Sequence, residues 1–496
     1  MKYYNLIVCL FIASYSLVAQ TAEDRVREIA PDIDARFREF KEKNHLSSVS
    51  YALVLDGKVV HTYYAGVINQ ATAQAPDGRS VYRIASMSKS FAGVAILQLR
   101  DAGRLALEDP VTRYIPELEG QRFSADSPEI TIRHLLTHSA GFPEDNPWGD
   151  RQLGISTEEM LAMFRKGISF SNEAGVQYEY SNMAFAMLGY IISKVSGQSY
   201  QAYIAEHIWK PLGMKDTYWD YTRVPEKQLV RGYRWLRGKF IEQPIEGDGA
   251  YGIMGGILTS TEDFCRYMSF HQSAYGQEFP ASPVLRKSSV KEMHYPWNFN
   301  SLNQRGFNGK GEPCVNVSHY GYGLRLDRNC EDMAMVGHSG GLPGYGSDWK
   351  IVPQYGLGIV TLTNGTYGSA ALLNNEILPL IVARAGLAPR TFPVSAVLKQ
   401  RQKELVSLLP SWEKAESSGI FAENFFSDYY TDLLREETEA AFAKAGKILN
   451  VREIVAENAL RGAFLMEGEK ADLRVHFTLS PENPPLIQAY RIRVEE

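Results

Sequence analysis

The sequence predicts an α+β fold built on an antiparallel sheet, and three observations lead there. Strand-like runs come early, at Ser48 to Leu55 and Lys58 to Val67, and late, at Met333 to His338, Gly346 to Val352 and Gly358 to Thr363. Between them the chain is mostly helical, so the sheet must be assembled from both ends of one domain around a helical insert. Beyond Pro389 helices and strands recur on a smaller scale, which predicts a separate, small C-terminal α+β domain. The 496 residues, 45% hydrophobic and 22% charged, suffice for two or three such domains.

The chain opens with Met1-Lys2, the apolar run Leu6 to Ala13, and small residues up to Ala19. This reads as a secretory signal over residues 1–19, cleaved after Ala19. It is too short to span a bilayer as a stable helix, and no other stretch is apolar enough. The expectation is an exported protein, periplasmic or secreted, with no integral membrane segment after cleavage. A net charge of −5 and a pI near 6.1 carry no electrostatic footprint for nucleic acid. Loss of Cys9 leaves Cys265, Cys314 and Cys330, so at least one thiol has no partner within the chain. Cys314 and Cys330 flank a loop-rich segment; a bridge between them and two free thiols are both open readings. No Cys/His cluster has zinc-ligand spacing. Asn316-Val317-Ser318 matches the glycosylation acceptor pattern, a match short enough to arise by chance.

In chain order, Ala22 to Asn44 is charged and amphipathic and predicts a long surface helix. Asp56-Gly57 between the first two strands is a hairpin signal. A helix follows Ser86 and ends near Gly103. Ile130 to Gly141 reads as a capped helix closed by a glycine turn. Met183 to Val195 and Tyr200 to Trp209 are helical, and Thr259-Ser260-Thr261-Glu262 caps another helix. From about His271 to Ser318 the chain reads as irregular, with Tyr295, Trp297 and Phe299 placed either at a pocket mouth or against the surface. Leu372 to Ala385 is a closing helix. Residues 20–388 form the main domain, 389–400 a linker and 401–496 the small domain. There Ala422 to Ala445 reads as helix and Glu457 to Met466, Leu473 to Leu479 and Leu486 to Val494 as strands.

The chemistry centres on Tyr82-Arg83-Ile84-Ala85-Ser86-Met87-Ser88-Lys89. A serine hydroxyl is a weak nucleophile until a base takes its proton. On a helix, residues i and i+3 share a face, which brings the Lys89 amine to Ser86. The spacing alone is weak: Ser288/Lys291, Ser347/Lys350 and Ser411/Lys414 repeat it. Two further motifs single out Ser86. Tyr180-Ser181-Asn182 supplies a phenol that can pass a proton and an amide that can donate and accept. Gly337-His338-Ser339-Gly340-Gly341 supplies a glycine-dense strand edge, where a substrate can approach the backbone and meet N–H groups.

Ser-x-x-Lys, Tyr-x-Asn and His-x-Gly in this order resemble the serine β-lactamase and penicillin-binding-protein-like superfamily, nearest its branch of class C β-lactamases, D,D-carboxypeptidases, D-aminopeptidases and related esterases. Ile130 to Gly141, Gly175 to Asn182, Pro211 to Thr217, Gly255-Gly256 and Tyr320-Gly321-Tyr322-Gly323 are similar to that branch too. The resemblance covers roughly residues 30 to 385. It implies a β-lactamase/transpeptidase-like sheet flanked by helices with a helical subdomain. It implies that Ser86 forms an acyl-enzyme, that Lys89 and Tyr180 share acid–base work, and that Asn182 orients lysine and substrate. His338, Gly340 and Gly341 would line the substrate strand, with Ser86 and Gly341 N–H groups as the oxyanion hole. No cofactor or metal is implied; the partner is a small-molecule or peptide substrate. His338 departs from the lysine of many β-lactamases, and a histidine is mostly neutral at pH 7. The C-terminal domain resembles cystatin or nuclear-transport-factor-type domains. The leading expectation is thus an exported serine hydrolase acting on an ester, amide or peptide. The alternatives are a true β-lactamase or D-Ala-D-Ala carboxypeptidase, and a slowly deacylating binding or sensor module.

Overall fold

The computed structural model describes residues 20–276 and 282–495; the expected signal, residues 1–19, lies outside them. The chain divides into two compact units between Ala388 and Pro389.

The first unit carries an eight-stranded antiparallel sheet. Its strands are β1 (Ser48–Leu55), β2 (Lys58–Gly66), β3 (Asn298–Phe307), β4 (Pro313–Tyr320), β5 (Arg325–Asn329), β6 (Ala334–Leu342), β7 (Tyr345–Val352) and β8 (Leu357–Thr363). Their order is β2-β1-β8-β7-β6-β5-β4-β3, so strands from both ends of the domain meet at the β1–β8 pair. The Asp56-Gly57 turn joins β1 to β2 with both residues at positive φ, 49° and 77°, as a right-twisting two-residue hairpin requires.

β1 is buried along its whole length because both faces of the sheet are covered. Val49, Tyr51, Leu53 and Leu55 enter one core, packed under the helices α1 (Ala22–Lys43) and α6 (Ala371–Arg384). Ala52 and Val54 enter the other, shared with α2 (Lys89–Asp101), α3 (Ile132–Leu136), α4 (Asn182–Ser196) and α5 (Thr261–Ser273). This period-2 partition is what a strand buried on two sides produces. Thr131, Ser181 and Ser260 cap α3, α4 and α5 with side-chain oxygens that accept backbone N–H groups.

The expectation of irregular chain from His271 to Ser318 is corrected. Among the described residues this stretch holds a helix, Lys287–Met293, and the β3–β4 hairpin that extends the sheet. The hairpin escaped detection because most of β3 is polar and half-exposed and its register slips twice, which erases period-2 alternation. A Cys314–Cys330 disulfide ties β4 to the turn after β5, and Cys265 is a buried free thiol. Asn316, the sequon residue, is buried in β4 with its amide on Asp327 at 3.1 Å, so no glycan fits there.

In the second unit, α7 (Ala396–Leu408) starts inside the stretch expected to be a linker. The single helix expected over Ala422 to Ala445 is two, Phe425–Asp428 and α8 (Thr431–Ala445), broken at Tyr429. Strands β9 (Ile448–Val451), β10 (Val455–Asn458), β11 (Arg461–Gly468), β12 (Leu473–Leu479) and β13 (Ile487–Val494) run in the order β9-β11-β12-β13, with β10 also on β11. Trp412 anchors this core, its Nε1 donating to Thr438 at 3.0 Å. No helix among the described residues is long and apolar enough to cross a membrane.

Candidate active site

Ser86 stands in a 3-10 turn, Ala85–Ser88, that runs directly into α2. The turn places Lys89 one step on, as the spacing predicts. Ala85, just before the serine, sits at φ 50°, a conformation a β-carbon disfavours and tertiary contacts must hold. Those contacts come from β6 and β7. Ser347 donates to the Ile84 carbonyl at 2.7 Å. Gly340 lies so close to Ile84 and Ala85 that a β-carbon there would overlap the Ile84 carbonyl oxygen.

Lys89 is fully buried. Its Nζ is 3.0 Å from Ser86 Oγ, 2.7 Å from Asn182 Oδ1 and 2.8 Å from the Met254 carbonyl. None of these partners is a carboxylate. Burial therefore dominates and pushes the amine down to about 7, against weaker opposing pulls from Asp145 and Asp150. A neutral amine has two N–H donors and one lone pair. Two carbonyl-type acceptors use the donors, which leaves the lone pair for the Ser86 hydroxyl.

α4 delivers Asn182. Asp145 accepts from the Asn182 and Met183 N–H groups at 2.6 and 2.9 Å, holding the first turn of the helix. The Asn182 amide donates to Asn146 at 3.2 Å, which orients its oxygen toward Lys89. Tyr180 precedes α4, with its ring 4.9 Å from Lys89 Nζ. Burial pushes its phenol well above the ordinary 10.0, and a hydrogen bond with Ser86 offsets part of that. His138, at φ 55°, fixes this segment from both sides: its carbonyl accepts from Glu179 N–H and its Nδ1 from Ser181 N–H.

The strand side of the cleft is an opened edge. β5 pairs with β6 only from Ala334 to Gly337, where Arg325 faces Gly337. From His338 to Leu342, β6 pairs with β7 alone. His338 is buried, with Nδ1 2.5 Å from the Ser339 carbonyl and Nε2 2.8 Å from the Tyr320 hydroxyl. A carbonyl only accepts, so Nδ1 carries the proton and Nε2 accepts from Tyr320. Burial, with Arg325 and Lys89 nearby, holds this imidazole neutral, its pKa well below 6.5.

A cleft of ≈ 400 Å³ is lined by Ser86, Tyr180, His338, Gly340 and Gly341, together with Asp150 and Arg325. Lys89 and Asn182 lie beneath it. All seven residues singled out from the sequence thus converge. Tyr295, Trp297 and Phe299 do not line the cleft; Trp297 stacks on Tyr322 with ring centroids 5.3 Å apart.

Sequence reasoning missed Asp150 and Arg325. Asp150 accepts from the Tyr367 hydroxyl at 3.0 Å and is pushed up by burial to about 6. The Arg325 side chain makes no hydrogen bond or ion pair among the described residues; its guanidinium lies over the Tyr180 ring, 5.9 Å from the centroid, and its Nε is buried without a hydrogen-bond partner. Its signal was the Tyr320 to Gly323 run, which ends two residues short of it. Nothing in the local sequence marks Asp150.

Comparison with known proteins agrees with this architecture. A solved structure of the octameric penicillin-binding protein homologue from Pyrococcus abyssi superposes with a TM-score of 0.62 at 21% identity, covering 94% of this chain and all of that one. A class C beta-lactamase superposes at 0.56 and 21% identity, covering 73% and 97%. Protein flp of Staphylococcus aureus (strain MW2) is 29% identical over 360 residues, 71% of this chain and 64% of its own length. Beta-lactamase-like protein 2 of Dictyostelium discoideum is 26% identical over 245 residues, 48% of this chain and 45% of its own. The family model described as Beta-lactamase matches residues 33–382, which hold the sheet, the helical insert and every residue of the cleft. On that match, the chain belongs to the beta-lactamase family of serine hydrolases.

Proposed function

We propose that the protein is an exported serine hydrolase that cleaves an ester, amide or peptide bond through an acyl-enzyme on Ser86. The observation that carries this reading is Lys89: a buried amine, 3.0 Å from the serine hydroxyl, whose other partners are two neutral oxygens. At neutral pH a large share of such an amine is unprotonated and basic.

In the first step Lys89 Nζ takes the Ser86 proton as Oγ bonds to the substrate carbonyl carbon. The oxyanion is held by the backbone N–H groups of Ser86 and Gly341. Tyr180, a phenol kept protonated by its surroundings, passes a proton to the leaving group and is recharged from Lys89. Water then attacks the acyl carbon along the reverse proton route, and Ser86 regains its proton. Lys89 and Tyr180 act as one coupled pair. The Cys314–Cys330 disulfide supports an oxidising compartment, in keeping with export.

Turnover of p-nitrophenyl acetate, with intact-protein mass after a fluorophosphonate, tests this. Wild type should hydrolyse the ester and gain one adduct on Ser86, and Ser86→Ala should do neither. An adduct on another serine defeats the assignment. A second reading, a β-lactamase or D,D-peptidase, is favoured by one observation. His338 is neutral, but the Arg325 guanidinium, which lies over the Tyr180 ring and makes no ion pair among the described residues, could meet a substrate carboxylate. Rapid hydrolysis of a chromogenic cephalosporin would select it.

A further inference from the structure

Asp150 lines the cleft at Ser86 and takes no part in the acyl transfer. It follows the short helix Asn146–Gly149 and is 5% exposed. Its Oδ2 accepts from the Tyr367 hydroxyl at 3.0 Å. Its Oδ1 accepts no hydrogen bond among the described residues, yet it is not closed off from solvent as the buried orphan atoms elsewhere are. That oxygen therefore opens on the cleft. No cation of the described residues pairs with the carboxylate. Arg151, next in sequence, reaches Glu246 at 3.3 Å, and Lys89 is tied to neutral oxygens. The nearby Asp145 is occupied by the N–H groups of α4.

The residue that aims Asp150 is itself held in a strained backbone. Tyr367 stands just past β8 at φ 53°, a conformation that side chains rarely adopt. β6 holds it there. The Tyr367 N–H donates to the Leu342 carbonyl at 3.3 Å, and its ring lies so close to Gly341 that a β-carbon there would sit 2.8 Å from Tyr367 Cδ1. Asp150 and Tyr367 thus stand at the Gly341 end of the open β6 edge. Arg325, which faces Gly337, stands at the other end, roughly 13 Å away along the strand at about 3.3 Å per residue. Burial pushes the Asp150 carboxyl up to about 6; the Tyr367 hydroxyl, Lys89 and Arg151 oppose the rise and Asp145 adds to it, so the group is mostly ionised at neutral pH. A buried carboxylate is costly until a donor pairs it. With one oxygen fixed and the other open, this one calls for a charged N–H donor.

We infer that Asp150, aimed by Tyr367, binds an ammonium group of the substrate, so that the bond cleaved at Ser86 belongs to a compound with a free amine. The inference deepens the hydrolase reading and rests on it for the reaction, though not for the binding chemistry. A neutral chain at the same place would leave the carboxylate unpaired, and the site therefore selects against it. A substrate that also carries a carboxylate would match both ends of the β6 edge, with Arg325 as its second partner.

Equilibrium binding to the full-length Ser86→Ala protein tests the site apart from turnover. Two probes are compared by calorimetry at neutral pH: alaninamide, whose amine is mostly an ammonium ion there, and N-acetylalaninamide, whose nitrogen is neutral. Alaninamide should bind about tenfold or more tightly. Asp150→Asn, in the Ser86→Ala background, should level the two affinities. Tyr367→Lys, at an exposed position, should level them too by setting a cation of the protein beside Asp150, and it serves in case Asp150→Asn fails to fold. Equal affinity for the two probes, no binding of either, or a preference that survives these substitutions overturns the inference. If the preference is found but wild type does not hydrolyse p-nitrophenyl acetate, the hydrolase reading fails and the ammonium site stands. Ester turnover without the preference removes the ammonium site alone.

Discussion

Ser86/Lys89 and Ser347/Lys350 are the same pattern, a serine three residues before a buried lysine, in two kinds of backbone. On the 3-10 turn entering α2 the two side chains meet at 3.0 Å. On β7 they point to opposite faces. Ser347 donates to the Ile84 carbonyl, while Lys350 makes a two-oxygen ion pair with Asp348 at 2.8 and 2.9 Å. The partners differ as much as the geometry. Asp348 gives Lys350 a countercharge, itself steadied by Asn374 at 2.7 Å. Lys89 is given only neutral oxygens. Lys350 is thereby tied into a structural ion pair, and Lys89 is left free to lose its proton. A short motif is chemistry only when the backbone turns it inward and the surroundings deny it a counterion.

The contrast breaks first at Lys89. Lys89→Met should lower kcat for p-nitrophenyl acetate by about 10³-fold, within the usual range for removing a general base. Its melting temperature should hold or rise, since a buried amine with no carboxylate in contact is replaced by an apolar chain of similar size. Wild-type-like turnover by this variant would end the proposed role.

Lys350→Met should do the reverse. It strands the buried Asp348 carboxylate and should cost about 3–5 kcal/mol in denaturant unfolding, while ester turnover per folded molecule stays within about twofold. Adding Asp348→Asn should recover most of that stability. A Lys350→Met protein as stable as wild type would erase the distinction between the two lysines.

The pH dependence sharpens the comparison further. Lys89 is held at about 7, so kcat/KM should rise about tenfold per pH unit below that value and level off above it. The linkage has a definite sign. The fold favours the neutral amine, so unfolding lets Lys89 take up a proton between about 7 and its ordinary 10.5. Its contribution to stability therefore rises with pH across that window, and Lys89→Met should flatten the slope. A profile with no rise near 7 would contradict the assigned base.

The smallest effect is expected at Ser288, whose Ser-x-x-Lys lies on a helix but in water, with Ser288 and Lys291 both exposed. Ser288→Ala should change stability by less than about 0.5 kcal/mol and leave turnover unchanged. A large loss there would mean that helical spacing alone suffices.

Much of the site was legible because its residues fall in compact motifs at element boundaries. Ser86 comes at a strand-to-helix junction, Tyr180 and Asn182 at a helix start, and His338 to Gly341 in a glycine-dense strand. Arg325 and Asp150 were not legible. Their importance comes from what they lack, an ion-pair partner in each case among the described residues, and local sequence does not show absent neighbours. The β3–β4 hairpin was lost for a related reason: an edge that is polar on both faces carries no alternation to read. In the second unit, the break at Tyr429 and the early start of α7 are boundary effects, the least certain part of any sequence reading.

The sequence by itself determined strands β1, β2 and β6 to β8 with the helical insert between them, the hairpin at Asp56-Gly57, the capped starts of α3 and α5, and which side chains could do acyl-transfer chemistry. These follow from neighbours within a few residues, where spacing translates directly into a shared face. Only the tertiary structure brought the Ser86 copy, which the motif order had singled out, into burial beside Tyr180 and β6. It alone joined Cys314 to Cys330 and left Lys89 without a carboxylate. Those outcomes depend on desolvation and on contacts between residues 16 or more positions apart, which packing sets and no local pattern records.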